Sequence, residues 1–360
     1  MTRRVLVIEE RSGGHLLVFV RMIVSHALAI GDDVILATGR SVPETAEFAQ
    51  NLAGFELQTV TFQGQLTPRV IAGLTADVKA DLVIVPHGDE VACRLAARAH
   101  ALRCRTVLLV MRDPRWEYPA PLVRRVKNLV KLALLSTASR HRLVDLVWLR
   151  QFGYPGGDRH AIDPFIADGS FDEVIAAGRT LREKIFPDPN AFWFVVTGAI
   201  TDRKNVRLIA QALTIAQRRA PHRRFGLALI GPHRTTYSID RDAILRMSGG
   251  AYSVVSQDRL LSNFEMNSIV AAADAVVMAY DTHAPNSTML KARALGTRLV
   301  VAGPPSVRSF ALGMGFTSVV RLDCRELVDA LSATSCSDAP KPCPFVPDGD
   351  DFAAALLSDR

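Results

Sequence analysis

Short apolar runs rich in β-branched residues alternate with helix-length amphipathic segments along most of the chain. The runs that predict strands are 5–8, 33–37, 81–85 and 106–110, then 192–196, 225–230, 252–255, 275–278 and 298–302. The segments that predict helices are 17–29, 91–101, 205–219, 263–273 and 287–295. Because the runs are apolar on both faces, they predict buried parallel sheets. The alternation occurs twice, which predicts two doubly wound α/β domains.

The length of 360 residues also favours two domains over one. A segment rich in Gly and Pro, 152–165, favours neither strand nor helix and indicates a boundary. We therefore expect a first domain over 1–160 and a second over 161–345. A closing segment, 346–360, contains a short predicted helix at 351–357.

Composition excludes several classes of protein. No apolar run is long enough to span a bilayer, and the four apolar residues 5–8 are too few for the core of a signal peptide. The five cysteines form no Cys-x-x-Cys pair, which favours structural thiols in a reducing compartment over disulfides or a metal site. We expect a cytoplasmic protein.

Positive charge is concentrated in one part of the chain. The net charge is +7, and residues 101–150 hold 11 Lys and Arg against three Asp and Glu. Within them, 122–132 alternates cations with apolar residues at helical spacing, and its cations are Arg124, Arg125, Lys127 and Lys131. Such a helix either lies on an anionic membrane surface, here the inner face of the cell membrane, or packs on a sheet with its charges in water. No nucleic-acid-binding signature accompanies the charge.

The segment 195–209 is an apolar strand, a turn at Gly198, the pair Arg203 and Lys204, and then a helix. Backbone N–H groups of such a turn and two cations can hold a diphosphate, whereas the alternative is a solvated surface pair. The segment resembles the one that opens the second domain of GT-B glycosyltransferases, in particular the family 4-like (group 1) enzymes. That resemblance implies that the basic pair binds the diphosphate of a nucleotide-sugar, and that the closing helix returns to the first domain.

Three more segments of the second domain resemble this family. The turn at Gly231 and Pro232 and the loop at Val255 and Ser256 correspond to segments that contact the nucleotide base. Near the start of the helix at 287–295, the family carries two Glu residues where this chain has His283 and Lys291. The intervening Asn286, Ser287 and Thr288 resemble the Ser-Ser-Gly of divergent members, which implies phosphate binding by hydroxyls and the helix N-terminus. Lys291 either adds positive charge near the diphosphate or is an exposed helix residue.

In the first domain, polar residues follow the predicted strands. Gly13, Gly14 and His15 follow the first strand and resemble the glycine loop that contacts acceptor and donor phosphate in GT-B enzymes; the alternative is a turn without a ligand. His87 follows the strand 81–85, and the resemblance implies that it faces the transferred sugar. Asp89, two residues later, is a candidate acceptor contact or part of a solvated turn. Arg112, after the strand 106–110, is a candidate for the acceptor cleft.

The sequence therefore predicts a GT-B fold, with two Rossmann-like doubly wound domains facing a central cleft. The resemblance implies transfer of a sugar from a nucleotide-diphosphate-sugar to a glycan or lipid-linked acceptor hydroxyl, in cell-surface polysaccharide or glycolipid synthesis and with retention. Arg203 and Lys204 would stabilise the leaving diphosphate, and His87 and His283 complete the candidate catalytic set. In the mechanism that the resemblance implies, the cations Arg203 and Lys204 take the place of a divalent metal ion, so no metal or cofactor is expected besides the co-substrate. Should the reaction invert, His15, His87 or Asp89 is the candidate base.

Two other functions remain open from the sequence. A GT-B-like sugar-nucleotide epimerase would share both domains, although it needs carboxylates facing the sugar. A catalytically silent nucleotide-sugar-binding protein is the third candidate function, since the family's two Glu residues are absent.

Overall fold

The computed structural model describes residues 2–13, 16–96, 99–111, 114, 122–150, 159–166, 168–281, 287–343 and 347–358. They fall into two compact units. The described residues within Met1–Gln151, Pro155–Pro164 and Pro347–Arg360 form the first unit, and those within Phe165–Val346 form the second.

A parallel sheet of seven strands forms the centre of the first unit, in the order β3-β2-β1-β4-β5-β6-β7. Its strands are β1 Arg4–Glu9, β2 Asp33–Gly39, β3 Gln58–Phe62, β4 Leu82–Val85, β5 Arg105–Val110, β6 Val144–Arg150 and β7 His160–Ile162. Its first five helices are α1 Leu16–Ala29, α2 Ala46–Leu52, α3 Pro68–Val78, α4 Asp89–Leu95 and α5 Leu122–Ser139. The strand order reverses between β1 and β4, which is where ligands bind in open α/β sheets.

The second unit is built around a parallel sheet of six strands, in the order β12-β10-β8-β13-β14-β15. Its strands, with the separate pair β9 and β11, are β8 Phe192–Thr197, β9 Ile200–Thr201, β10 Phe225–Ile230, β11 His233–Arg234, β12 Ser253–Gln257, β13 Ala275–Ala279, β14 Arg298–Ala302 and β15 Val319–Val320. Its helices are α6 Phe171–Ile185, α7 Val206–Arg219, α8 Arg241–Ser248, α9 Asn263–Ala272, α10 Ser287–Leu295, α11 Pro305–Gly313 and α12 Cys324–Thr334.

The last described helix, α13 Gly349–Leu357, belongs to the first unit. It packs on α1, where the rings of Phe19 and Phe352 lie 4.7 Å apart between centroids. Arg3, next to β1, donates a hydrogen bond of 2.9 Å to the carbonyl oxygen of Leu357. The core of the first unit therefore includes residues from both ends of the described chain.

The predicted fold class is confirmed, because both units are parallel α/β domains. Several elements differ from the sequence-based expectation. The strands β3, β6, β7 and β15 were not predicted, and β7 lies inside the segment expected to be irregular. The helix expected over 91–101 ends at Leu95, and a short 3₁₀ turn follows at Ala99–Ala101. Edge strands such as β3 expose most of their residues and so lack the apolar run that marks a central strand.

Candidate functional site

Two glycine turns meet at the carboxyl ends of the neighbouring strands β8 and β10. Gly198 follows β8 with φ +77°, and Gly231 follows β10 with φ +140°, a conformation that L side chains rarely adopt. A Cβ atom on Gly231 would lie 2.5 Å from the carbonyl oxygen of Gly198. The backbone N–H of Ile200 donates to the carbonyl of Pro232 at 2.8 Å, which holds the two turns together. At both glycines, therefore, backbone rather than a side chain occupies this edge of the sheet.

The ammonium group of Lys204 lies under the first of these turns. Its side chain is buried, and Nζ donates a hydrogen bond to the carbonyl oxygen of Thr197. A Cβ atom on Gly198 would lie 3.6 Å from Nζ. Burial, and after it the positive charge of Arg203, lowers the pKa of Lys204 to about 7. An anion bound at the turn would favour the charged form and raise that pKa.

Arg203 and Asn205 hold the basic turn, the 3₁₀ turn Asp202–Lys204, against β13, the strand beside β8 in the sheet. The guanidinium carbon of Arg203 lies 5.3 Å from the centroid of the Tyr280 ring, just after β13. Asn205 has φ +47°, and its side-chain amide donates to the carbonyl of Ala279 at 2.9 Å. The side-chain oxygen of Asn205 accepts no capping hydrogen bond from α7, whose first N–H groups start at Val206. Those N–H groups favour an anion at the helix N-terminus.

Three buried polar atoms near these turns have no hydrogen-bond partner within the described part of the chain. They are Oγ1 of Thr197, Oγ1 of Thr201 and Nε2 of His233. Thr197 ends β8, and the pairing of β9 with β11 sets His233 opposite Ile200, next to Thr201. Burying a polar group without a partner is costly, and a bound ligand that supplies the missing bonds would remove that cost. None of the three was predicted from the sequence, although Thr197 precedes Gly198 and Thr201 lies two residues before the basic pair.

The other predicted donor residues lie on several elements of the second unit. Val255 and Ser256 are half-buried in β12, and the Ser256 hydroxyl donates to the carbonyl of Ile239 at 3.3 Å. Ser287 and Thr288 begin α10, with Thr288 buried. His283 and Asn286 lie outside the described residues.

Lys291 is not the exposed helix residue that one of the two interpretations expected. Only 2% of it is exposed, and Nζ donates to Oδ1 of Asn267 at 2.6 Å. The same nitrogen lies 5.5 Å from the centroid of the Phe165 ring. An amide oxygen and an aromatic face compensate the buried charge, so Lys291 links α10 to α9.

In the first unit, the side chain of Asp89 makes contacts to residues of the same unit. Its carboxylate is buried, accepts from the backbone N–H of Met111 at 2.7 Å and pairs with Lys131 at 2.5 Å. This carboxylate therefore ties α4 to α5 and to the end of β5. Lys131 consequently faces inward, which corrects its assignment to the outward cations of the basic helix.

The remaining predicted residues of the first unit are partly described. His87 is half-buried in the turn between β4 and α4, two residues before Asp89, and Gly13 lies in the loop after β1. Gly14, His15 and Arg112 lie outside the described residues.

No protein-family model and no curated protein matches the sequence. Several solved structures are similar to this chain in fold. Sucrose-phosphate synthase from Thermosynechococcus elongatus is 12% identical, with a TM-score of 0.61 over 98% of this chain and 94% of that chain. HepE from Anabaena, in complex with UDP and glucose, is 14% identical, with a TM-score of 0.53 over 98% and 95%. The chain has the GT-B fold. UDP-GlcNAc 2-epimerase from Neisseria meningitidis, bound to UDP-GlcNAc, is also similar, at 11% identity and a TM-score of 0.54 over 98% and 97%.

Proposed function

We propose that this protein is a glycosyltransferase, related to the family 4-like GT-B enzymes, that takes its sugar from a nucleotide-diphosphate-sugar bound to the second unit. One observation carries the proposal. Around two touching glycine turns lie the ammonium of Lys204 and three buried polar atoms that have no partner among the described residues, those of Thr197, Thr201 and His233. Phosphate and sugar oxygens accept from an ammonium, an imidazole N–H and hydroxyls, so a nucleotide-sugar satisfies this set.

The chemistry follows from where charge develops. When the bond between the anomeric carbon and the diphosphate breaks, its electron pair remains on the diphosphate, and the acceptor oxygen bonds to that carbon. Lys204, Arg203 and the first N–H groups of α7 would stabilise the added negative charge. Gly231, Pro232, Val255 and Ser256 would contact the base, and Ser287 and Thr288 the phosphates. The acceptor contacts in the first unit and the retaining outcome rest on the family resemblance.

The direct test is binding and turnover with a panel of UDP-, GDP-, ADP- and dTDP-sugars. We expect one nucleotide to bind to the purified protein, and its diphosphate to be released faster when a pool of glycan and lipid-linked acceptors is added. An epimerase is the second candidate, because a solved UDP-GlcNAc 2-epimerase shares the fold. It would convert the sugar in the absence of any acceptor, which proton NMR of the donor detects. Binding without turnover in either assay would identify a silent binding protein.

The affinity for the donor is expected to fall as pH rises above about 7. Free Lys204 has its pKa lowered to about 7, and a bound diphosphate raises it, so binding above neutrality takes up a proton. The association constant should then fall by up to about tenfold per pH unit. Calorimetric titration with a nucleotide-sugar in buffers of different ionisation enthalpy measures both the affinity and the proton uptake. An affinity that stays constant over this range, with no proton uptake, would contradict the assigned role of Lys204.

We also propose that α5 attaches the first unit to an anionic membrane surface. Five large apolar side chains on this helix are each at least 53% exposed: Leu122, Val123, Val126, Leu129 and Val130. At about 100° per residue they share one face, an arc of roughly 120°. The same geometry sets Arg125 beside one edge of that face and Lys127 beside the other. An apolar strip between cations matches the interface of an anionic bilayer. None of the described helices is both long enough and apolar enough to cross a membrane.

Vesicle co-sedimentation tests this attachment. Binding to phosphatidylcholine vesicles should require added phosphatidylserine and weaken with salt. The affinity of the triple variant Leu122→Gln/Val126→Gln/Leu129→Gln for these vesicles should fall more than about tenfold, because each apolar side chain contributes on the order of 1 kcal/mol. Leu312→Gln, at an exposed leucine of α11 in the second unit, is the control and should bind normally. Self-association in solution that the triple variant abolishes, with no vesicle binding, would instead assign the strip to a second copy of the chain.

A further inference from the structure

Two buried polar side chains at the end of the central strands of the first unit lack part of their hydrogen bonding. Glu9 ends β1 and is 1% exposed, and Thr38, its register partner on β2, is fully buried. Oε2 of Glu9 and Oγ1 of Thr38 have no hydrogen-bond partner within the described residues. Register partners on parallel strands point to the same face of the sheet, so the two groups are neighbours.

In contrast to Glu9 and Thr38, the next two side chains of the loop, Glu10 and Arg11, make contacts within the first unit. Glu10 accepts from the backbone N–H of Leu66 at 3.3 Å, and the Arg11 guanidinium pairs with Glu90 at 3.3 Å. Glu9 itself is held by its other oxygen, Oε1, which accepts from the backbone N–H of Arg11 at 3.0 Å. The carboxyl group is thus oriented by one oxygen, while the second has no hydrogen-bond partner in the described part of the chain.

The electrostatics of this position disfavour a charged ligand. Burial raises the pKa of Glu9 to about 7, so near neutrality the carboxyl group is protonated in a large fraction of molecules and can donate as well as accept. A hydroxyl of a ligand can also do both, and so can the hydroxyl of Thr38. A bound anion would be repelled by the ionised fraction of the carboxyl group. A cation would find a single carboxyl oxygen, Oε2 of Glu9, that has no partner among the described residues.

We propose that Oε2 of Glu9 and Oγ1 of Thr38 form a binding site for a hydroxyl group of a neutral, sugar-like ligand at the carboxyl ends of β1 and β2. The site is next to the point where the strand order reverses, on the first unit, and is separate from the residues assigned to the donor. Identifying this ligand as the sugar acceptor rests on the proposed transferase function. Glu9 and Thr38 then become acceptor-binding residues beside those that the sequence suggested.

Thr38→Val provides the test, because it replaces the hydroxyl by a methyl group of the same shape. Where the hydroxyl has no partner in the free protein, this change raises the melting temperature. Thr75→Val is the matched control: Thr75 is also buried in the first unit, but its hydroxyl donates to the carbonyl of Ile71 at 2.7 Å. It should lower the melting temperature slightly or leave it unchanged. Thr38→Ser, which retains the hydroxyl, should preserve ligand binding.

Binding is measured by saturation-transfer NMR titration with methyl α-D-glucopyranoside, methyl α-D-mannopyranoside and methyl β-D-galactopyranoside, and nucleotide-sugar binding is measured on the same samples. We expect at least one glycoside to bind to the wild type, at least about fivefold weaker binding for Thr38→Val, and unchanged binding for Thr75→Val and Thr38→Ser. Nucleotide-sugar affinity should be equal in all four proteins. This inference is overturned if Thr38→Val binds glycosides as well as the wild type does, if the wild type binds none, or if Thr38→Val lowers the melting temperature. Each of these results leaves the donor site intact. Failure of every nucleotide-sugar to bind overturns the proposed function instead.

Discussion

Replacing Lys204 by methionine is expected to slow sugar transfer by about 2 to 4 kcal/mol of transition-state stabilisation, on the scale of other preorganised electrostatic donors. Methionine keeps much of the buried volume and removes the charge that, in the proposed function, stabilises the leaving diphosphate. Arg203→Met should have a smaller effect, because its guanidinium is also held over the Tyr280 ring. The rate of diphosphate release with the native donor and acceptor measures both effects.

The same substitution should stabilise the free protein. In the folded state the pKa of Lys204 is lowered from 10.5 to about 7, so between these values the unfolded chain binds more protons. The free energy of unfolding of the wild type therefore rises with pH in this window, by up to about 1.4 kcal/mol per unit. Lys204→Met removes this dependence, and its advantage is largest below pH 7. Urea denaturation at several pH values measures the difference.

Arg219→Met is the control for loss of a cation. Arg219 ends α7, about 20 Å along the helix from the basic turn, and pairs at the surface with Asp329. We expect it to keep normal turnover and a normal pH dependence of stability. Near-normal turnover of Lys204→Met would show that the diphosphate binds elsewhere.

Gly231→Ala is expected to destabilise the second unit by about 3 kcal/mol or more. The added Cβ would lie 2.5 Å from the carbonyl oxygen of Gly198, and φ of +140° is unfavourable for any L side chain. Both turns consist of backbone, so neither can relieve the contact by a change of rotamer. The turns must separate, which displaces Gly198 from Lys204. Thermal unfolding and nucleotide-sugar affinity should therefore decline together.

Gly249→Ala separates backbone strain from contact. Gly249 also has positive φ, +60°, but a Cβ atom there meets nothing within 4 Å. The control should cost only about 1 to 2 kcal/mol and leave nucleotide-sugar affinity unchanged. Equal destabilisation of the two variants would mean that the two turns move apart without cost, and would argue against a preorganised site.

The centres of both sheets could be predicted from the sequence because their strands are buried on both faces. The strand β10 is wholly buried, and its composition alone indicates its place. The strand β6 could not be predicted, since it carries Asp145 near its start. That carboxylate is compensated by Arg105 at 2.6 Å and by Arg159, partners from β5 and from the residue before β7. Only the assembled sheet reveals this compensation.

The residues of the candidate site also divide into those that a local sequence pattern predicts and those that only the fold brings together. Gly198, Arg203 and Lys204 are close together in sequence, so a local pattern sufficed to identify them as candidates. His233 joins them only through the pairing of β9 with β11. The burial of Lys291 depends on Asn267 and on Phe165, which is more than 100 residues away in the chain. Contacts of that kind leave no periodic trace in the sequence, and so the two interpretations of Lys291 could be separated only by the fold.

The position of α13 sets an order of events during synthesis on the ribosome. The described part of the second unit, residues 165–343, is continuous in sequence, apart from positions outside the description, and emerges before α13 does. The first unit contains residues from both ends of the described chain, so Phe19 meets Phe352 only after the whole second unit has been made. Domains generally fold as they emerge. The unit translated second is therefore the first that can complete its core, while the nascent first unit keeps the apolar surface under α13 uncovered until α13 has emerged.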